Sequence, residues 1–266
     1  MIPLFLDAMR FKSSVPNTLA LAAGAAALTL LWTEAARAQA GHDPTWSPAL
    51  HLASTATIPV RMRQPVLQGA NRLRLTNGTT VRAIGNCSEY LAAVGKGFGP
   101  STNYDAKVSG EFVHECFALR DLQHARSATS ARAYHWSGAS LTQLPPVLVP
   151  GAREVTDAAE EAEKRGASWK QADSAVRVTK VSGDQLLAED ANYVYSLDII
   201  ARADFNGDGV EDLAVYGAAQ GKHSTWADAR YFIFSPTSSD KLVRLTDNRA
   251  PFHMLATRSP ASPGGR

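Results

Sequence analysis

The chain has almost no excess of one charge. Its 27 Lys and Arg stand against 25 Asp and Glu, a formal net of +2 over 266 residues. A nucleic-acid binder carries a basic stripe or patch; none is present here, and nucleic acid is excluded as a partner. An apolar run long enough for a stable membrane span is also missing. Such a span takes roughly 20 residues, and the run Leu19 to Trp32 is shorter. Cysteine is scarce, Cys87 and Cys116 being the only two. In an exported chain an even pair points to a disulfide. Closing that loop of about 30 residues removes roughly 3–4 kcal/mol of unfolded-state entropy. The other reading, a nucleophilic Cys87 at the mouth of a helix over Ser88 to Val94, stays open at this stage.

Compact catalytic motifs are absent too. His114-Glu115 lacks the second histidine of a zinc-protease helix, and it falls on a stretch, Gly110 to Leu119, whose alternation predicts a strand. His135-Trp136-Ser137-Gly138 is not the Gly-x-Ser-x-Gly of a nucleophile elbow. The glycine string Gly95 to Pro100 does not follow a strand and open a helix, as a phosphate loop must; it predicts a loop running to about Lys107. Triad members need not be neighbours in sequence, so a hydrolase remains the alternative function.

What the chain does have begins with an export signal. Arg10 and Lys12 precede the apolar run, and Ala38-Gln39-Ala40 offers the small-x-small site for signal peptidase. Residues 1–40 are thus expected to be a signal peptide, with the mature chain starting at Gly41 in the periplasm or outside the cell. Asp7 is out of place ahead of the basic region, and Met9-Arg10-Phe11-Lys12 makes a more ordinary start of translation.

The remainder is expected to be α+β, mainly antiparallel β with a few short helices. Residues 41–145 form an N-terminal α+β region that holds the cysteine pair. It opens with an extended lead-in and a short strand near Thr57 to Met62. Arg72 to Leu75 and Thr80 to Ala83 flank Asn77-Gly78, a hairpin signal. The Pro-rich stretch Leu144 to Pro150 marks a boundary. Residues 146–257 then form a C-terminal β region, entered through a charged surface helix, Thr156 to Arg165, capped by Thr156 or Asp157 and stopped by Gly166. Its strands, Ala175 to Val181, Leu186 to Ala188, Tyr193 to Ala203, Asp212 to Tyr216, Tyr231 to Ser235 and Lys241 to Leu245, follow one another as a meander. The tail 258–266 is rich in Pro, Ser and Gly and is expected to be disordered.

One segment carries specific chemistry. Asp204-Phe205-Asn206-Gly207-Asp208-Gly209-Val210-Glu211-Asp212 sets oxygen side chains at alternate positions. A coiled loop of this kind turns Asp204, Asn206, Asp208, the Val210 carbonyl and Asp212 toward one ion, and calcium takes six to eight oxygens. Gly209 stands where the loop must turn sharply. An EF-hand would need Glu at the twelfth position; Val215 is there, and both flanks are β-like. The stretch from Asp204 through Leu213-Ala214-Val215-Tyr216-Gly217-Ala218 resembles the FG-GAP and VCBS type of calcium repeat, in the single-copy form that ends some exported bacterial proteins. It departs from that pattern by inserting Tyr216 and by having Ala219 where proline is usual. The resemblance covers about Tyr193 to Leu245 and implies a calcium site in a module that binds proteins or sugars. It does not imply a propeller, since there is no second Asp-x-Asn-x-Asp-Gly and a propeller needs at least four blades.

The functional expectation is an exported calcium-binding protein, leaning away from catalysis, that acts as a binding module for a protein or an envelope polymer. The alternative is a periplasmic hydrolase with a structural calcium site. A cleft with converging titratable groups around His114, Glu115 and His135 would favour the enzyme, and a flat surface there the binder.

Overall fold

The structure is a computed structural model that describes residues 41–68, 72–131, 134–146, 153–224, 227–237 and 241–248. The signal segment, its cleavage site, the Met9 start and the tail 258–266 lie outside the described residues.

The lead-in is not simply extended. Strand β1 (Thr45–Trp46) is followed by two 3-10 turns and a four-residue helix, α1 (Ile58–Arg61). The strand expected near Thr57 to Met62 is this helix. Pro59 lies in its first turn, where a missing N–H leaves no partner unmet, and Ile58 is fully buried. The predicted hairpin forms from β2 (Leu73–Thr76) and β3 (Val81–Ile84). Gly78 takes φ 93, and Asn77 Oδ1 accepts the N–H groups of Thr79 and Thr80 at 3.1 and 2.9 Å.

Helix α2 (Cys87–Val94) is capped by Asn86, which accepts from the Glu89 N–H. The strand expected over Gly110 to Leu119 is instead the middle of a 20-residue helix, α3 (Asn103–Leu122), capped by Thr102. Its first residues also replace the end of the loop expected to reach Lys107. Phe112, Cys116 and Ala118 fit a two-residue period. The buried set also holds Ser109, Val113, Phe117, Leu119 and Leu122, and that set recurs every three or four residues. The Cys87–Cys116 disulfide joins α2 to α3, with Cα atoms 4.9 Å apart. Neither cysteine is a free nucleophile.

Helix α4 (Arg153–Lys164) starts ahead of the expected Thr156 cap, and Gly166, at φ 73, follows its end. After a short helix, α5 (Trp169–Ala172), closed by a Ser168–Gln171 capping box, the meander follows. It comprises β4 (Arg177–Ser182), β5 (Gln185–Glu189), β6 (Tyr193–Ala203), β7 (Asp212–Gly221), β8 (Ala227–Pro236) and β9 (Leu242–Asn248). Sequential antiparallel pairing gives the order β4-β5-β6-β7-β8-β9, and β1 pairs with Ala201 and Arg202 at the far end of β6. This is the α+β, mainly antiparallel architecture expected.

Both faces of the sheet are covered. A bulge between Ile199 and Ala201 shifts the alternation of β6. Tyr195, Leu197 and Ile199 share one core with Trp136, Leu141, Leu144 and Trp169. Ile200, Ala214, Tyr231 and Ile233 share the other with Phe112, Val113, Phe117 and the β2–β3 hairpin. The regions drawn at 41–145 and 146–257 therefore contribute to common cores, and Gly41–Arg266 groups as one unit. The Pro-rich boundary segment falls partly outside the described residues, at 147–152. No helix among the described residues is long and apolar enough to cross a membrane.

Candidate functional site

The expected metal loop is the β6–β7 connection. Ala203 pairs with Asp212 where the two strands part, so Asp204 and Asp212 stand side by side at the neck, both buried. Asn206 and Asp208 sit exposed at the tip. Asp204 organises the turn, its Oδ1 accepting the Gly207 N–H at 2.6 Å and its Oδ2 the Gly209 N–H at 3.0 Å. Asn206 Oδ1 accepts from Asp208 N–H, and Asp208 Oδ1 from Val210 N–H, each at 2.8 Å. Asp212 Oδ2 accepts the Phe205 N–H at 3.0 Å. These bonds explain why acids and amides alternate: Asp204, Asn206 and Asp208 each reach an amide two to five residues on and coil the backbone, and Asp212 reaches back to Phe205 to close the loop.

Two features are left over. Asp212 Oδ1 is buried and no hydrogen bond of good geometry reaches it. The Val210 carbonyl accepts no hydrogen bond from the described residues. Burial pushes the Asp212 carboxyl above its ordinary pKa. The charges of Asp208 and Asp204 add to that rise, and the Ser235 hydroxyl and Phe205 N–H oppose it. The loop thus gathers negative charge at a wholly buried residue, the condition a hard cation relieves. Among the described residues no three His, Cys, Asp or Glu side chains already converge as a cage. The carboxylate of Asp204 is turned onto backbone N–H groups and that of Asp208 onto the Val210 N–H and the Asn206 Nδ2 amide, and each of those oxygens keeps a second lone pair. The donor set contains only oxygen, which fits calcium and not a soft transition metal.

A segment that the sequence did not single out embraces this loop. Arg126 and Asp204 exchange backbone hydrogen bonds at 3.0 and 3.1 Å. The Gly209 carbonyl accepts from Thr129 N–H, Ser130 N–H and Thr129 Oγ1 at 2.9, 3.0 and 3.0 Å. Glu211 N–H returns a bond to the Ser130 carbonyl at 3.0 Å. Gly209 has two reasons to be glycine: its φ is 83, and a Cβ there would lie 2.7 Å from Thr129 Oγ1. Nothing in the local sequence of 126–130 signals this role, because its partners are some 80 residues away.

The residues that would have favoured an enzyme do not come together. His114 packs edge-on against Tyr216, ring centroids 5.1 Å apart, on the α3 side of the sheet. Glu115, one residue on, is buried against Arg61, with Nη2 to Oε2 at 2.9 Å and Nε to Oε1 at 2.6 Å. His135 is exposed between Tyr134 and Trp136, which belong to the opposite face. There is nonetheless a groove of about 730 Å³ between the first turns of α3 and the sheet, lined by Tyr104, Gly110, Ser196, Tyr216 and Ala218 among others. Small residues on both walls leave this space. Ser196 on its wall donates directly to Asp198 Oδ2 at 2.8 Å, where an activated serine nucleophile commonly donates to a histidine or lysine.

Comparison with protein-family models, with curated proteins and with solved structures returns no match for this chain.

Proposed function

We propose that this is an exported protein whose β6–β7 loop binds calcium through Asp204, Asn206, Asp208, the Val210 carbonyl and Asp212, and which acts as a non-enzymatic binding module for a protein or envelope polymer. The observation that carries the ion site is Asp212 Oδ1, a fully buried carboxylate oxygen with no hydrogen bond of good geometry. The Ser235 hydroxyl and the Phe205 N–H offset the burial of this carboxylate only in part; leaving a buried charged oxygen short of partners costs about 1–3 kcal/mol or more, and a bound cation would relieve it. The single copy of an FG-GAP or VCBS type of loop agrees with this assignment, and so does a disulfide, which persists in the oxidising periplasm or outside the cell.

In this reading Asp204 and Asp212 hold the neck of the loop, Asn206 and Asp208 close its tip, and Val210 supplies a neutral carbonyl. Calcium contributes positive charge and a cross-link between these oxygens. The test is a melting series in calcium and in magnesium. Wild type should gain stability with calcium by mass action. It should respond far less to equal magnesium, which demands a smaller octahedron. Asp208→Ala should lose the response, and its exposed position keeps the substitution from disturbing the core directly. Identical melting of wild type and Asp208→Ala at every calcium concentration would leave the loop a mere turn.

A further inference from the structure

The chain covers one face of the sheet with α3 and the other with residues 134–144, and it must cross between them. Leu122 ends α3 in one core, and Tyr134 enters the other. The crossing runs over the end of the sheet at the β6–β7 loop, through residues 123–131. It is held there mainly by hydrogen bonds to the loop and to the first described residues, because Ala128 alone is buried along it from Gln123 to Ser130.

Those bonds converge on the residues the loop chemistry positions. Asp204 fixes Gly209 by accepting its N–H, while the carbonyl of Gly209 receives Thr129 and Ser130. Asp204 is itself paired through its backbone to Arg126. On the outer side of the strap, His42 and Ala128 exchange backbone bonds at 2.6 and 3.0 Å, and Ser127 Oγ donates to Asp43 Oδ1 at 2.8 Å. The start of the expected mature chain, the crossover and the loop thus form one hydrogen-bonded stack of three segments. Without calcium, Asp204, Asp208 and Asp212 repel one another, and the carbonyl that anchors the strap rides on the loop they loosen.

We propose that calcium operates a clasp: occupancy of the loop closes the 126–130 crossover and the His42–Asp43 strand end onto the sheet, and loss of the ion releases both while the meander stays folded. This rests on the calcium reading above. Linkage makes it reciprocal: if the ion tightens the strap, weakening the strap must weaken the ion by the same factor.

The test is amide hydrogen exchange on the exported protein in saturating calcium and in EGTA, with calorimetry of calcium binding alongside. The amides of His42, Arg126, Thr129 and Ser130 should exchange at least about tenfold faster in EGTA, as local opening does, while Val215 and Phe232 are unchanged. Trypsin should cut after Arg126 only in EGTA. Thr129→Ala, which deletes the bond from Oγ1 to Gly209, should weaken calcium binding roughly fivefold, the worth of one hydrogen bond. Calcium binding with unchanged strap amides, or with no effect of Thr129→Ala, overturns the clasp and leaves the calcium reading standing. Faster exchange spread evenly over β7 and β8 also overturns the clasp, since the ion would then act on the whole fold. An absence of any calcium heat overturns the calcium reading and the clasp with it.

Discussion

Replacing Asp212 by asparagine asks the loop to reveal whether its buried oxygen is meant for an ion. Asp212 is wholly buried, one oxygen takes the Phe205 N–H, and the other has no hydrogen bond of good geometry. In EGTA the charge is a burden, being buried and facing Asp204 and Asp208, and the Ser235 hydroxyl and the Phe205 N–H offset it only in part. Asparagine is nearly the same shape and keeps an oxygen for Phe205, so Asp212→Asn should melt at or above wild type, by up to about 1–3 kcal/mol. In calcium the order should reverse. Extracellular calcium sites bind at about 10⁻⁴–10⁻³ M, and at roughly ten times Kd the gain is about 1.4 kcal/mol. For a domain of this size that is a rise in Tm of about 3–6 °C. The variant should show almost none of it. Crossing melting curves, measured by calorimetry or far-UV dichroism in EGTA and in millimolar calcium, are the expected result. Parallel curves, with Asp212→Asn offset from wild type equally in both buffers, would mean that Asp212 is only a structural acceptor for Phe205.

Gly209→Ala should cost more than Gly207→Ala in urea unfolding. Both residues hold positive φ, 83 and 84, worth about 1–2 kcal/mol, but the new Cβ meets Thr129 Oγ1 at 2.7 Å in the first case and nothing closer than 3.6 Å in the second; equal costs would refute the close approach of the strap. Alkylation of the native protein without reductant should modify neither Cys87 nor Cys116, and reduction should lower stability by about 3–4 kcal/mol; a labelled thiol in unreduced protein would contradict the bridge. Burial holds the His114 imidazole below its ordinary pKa of 6.5, against the pull of Glu111 and Asp198. The unfolded chain therefore binds that proton at a higher pH than the fold does, so stability should fall as pH drops below about 6.5. An NMR titration midpoint at or above that value, or a His114→Phe variant with unchanged acid sensitivity, would refute it.

Much of the meander could be read locally. Tyr193 to Ala203 is bounded by turn residues and was legible to its ends, and Gly183, at φ 57, marks the β4–β5 turn. The loop announces itself because its residues bond their own near neighbours: Asp204 reaches Gly207 and Gly209, Asn206 reaches Asp208, and the spacing needs no distant partner. The disulfide was legible because two cysteines allow one pairing. Helix α3 was not, since Phe112, Cys116 and Ala118 all fit a period of two while only Phe112 and Cys116 stand four apart, and packing against β8 selected the helix. The lead-in helix escaped for a similar reason, its four residues being too few to show a period. Only the tertiary structure could decide that Arg61 meets Glu115 across 54 residues, that the chain covers both faces of one sheet, and that Arg126 to Ser130 close over the loop. Those contacts join segments with no shared local pattern; their energy is repaid only after a long stretch of chain has been closed, and no window of sequence contains both partners.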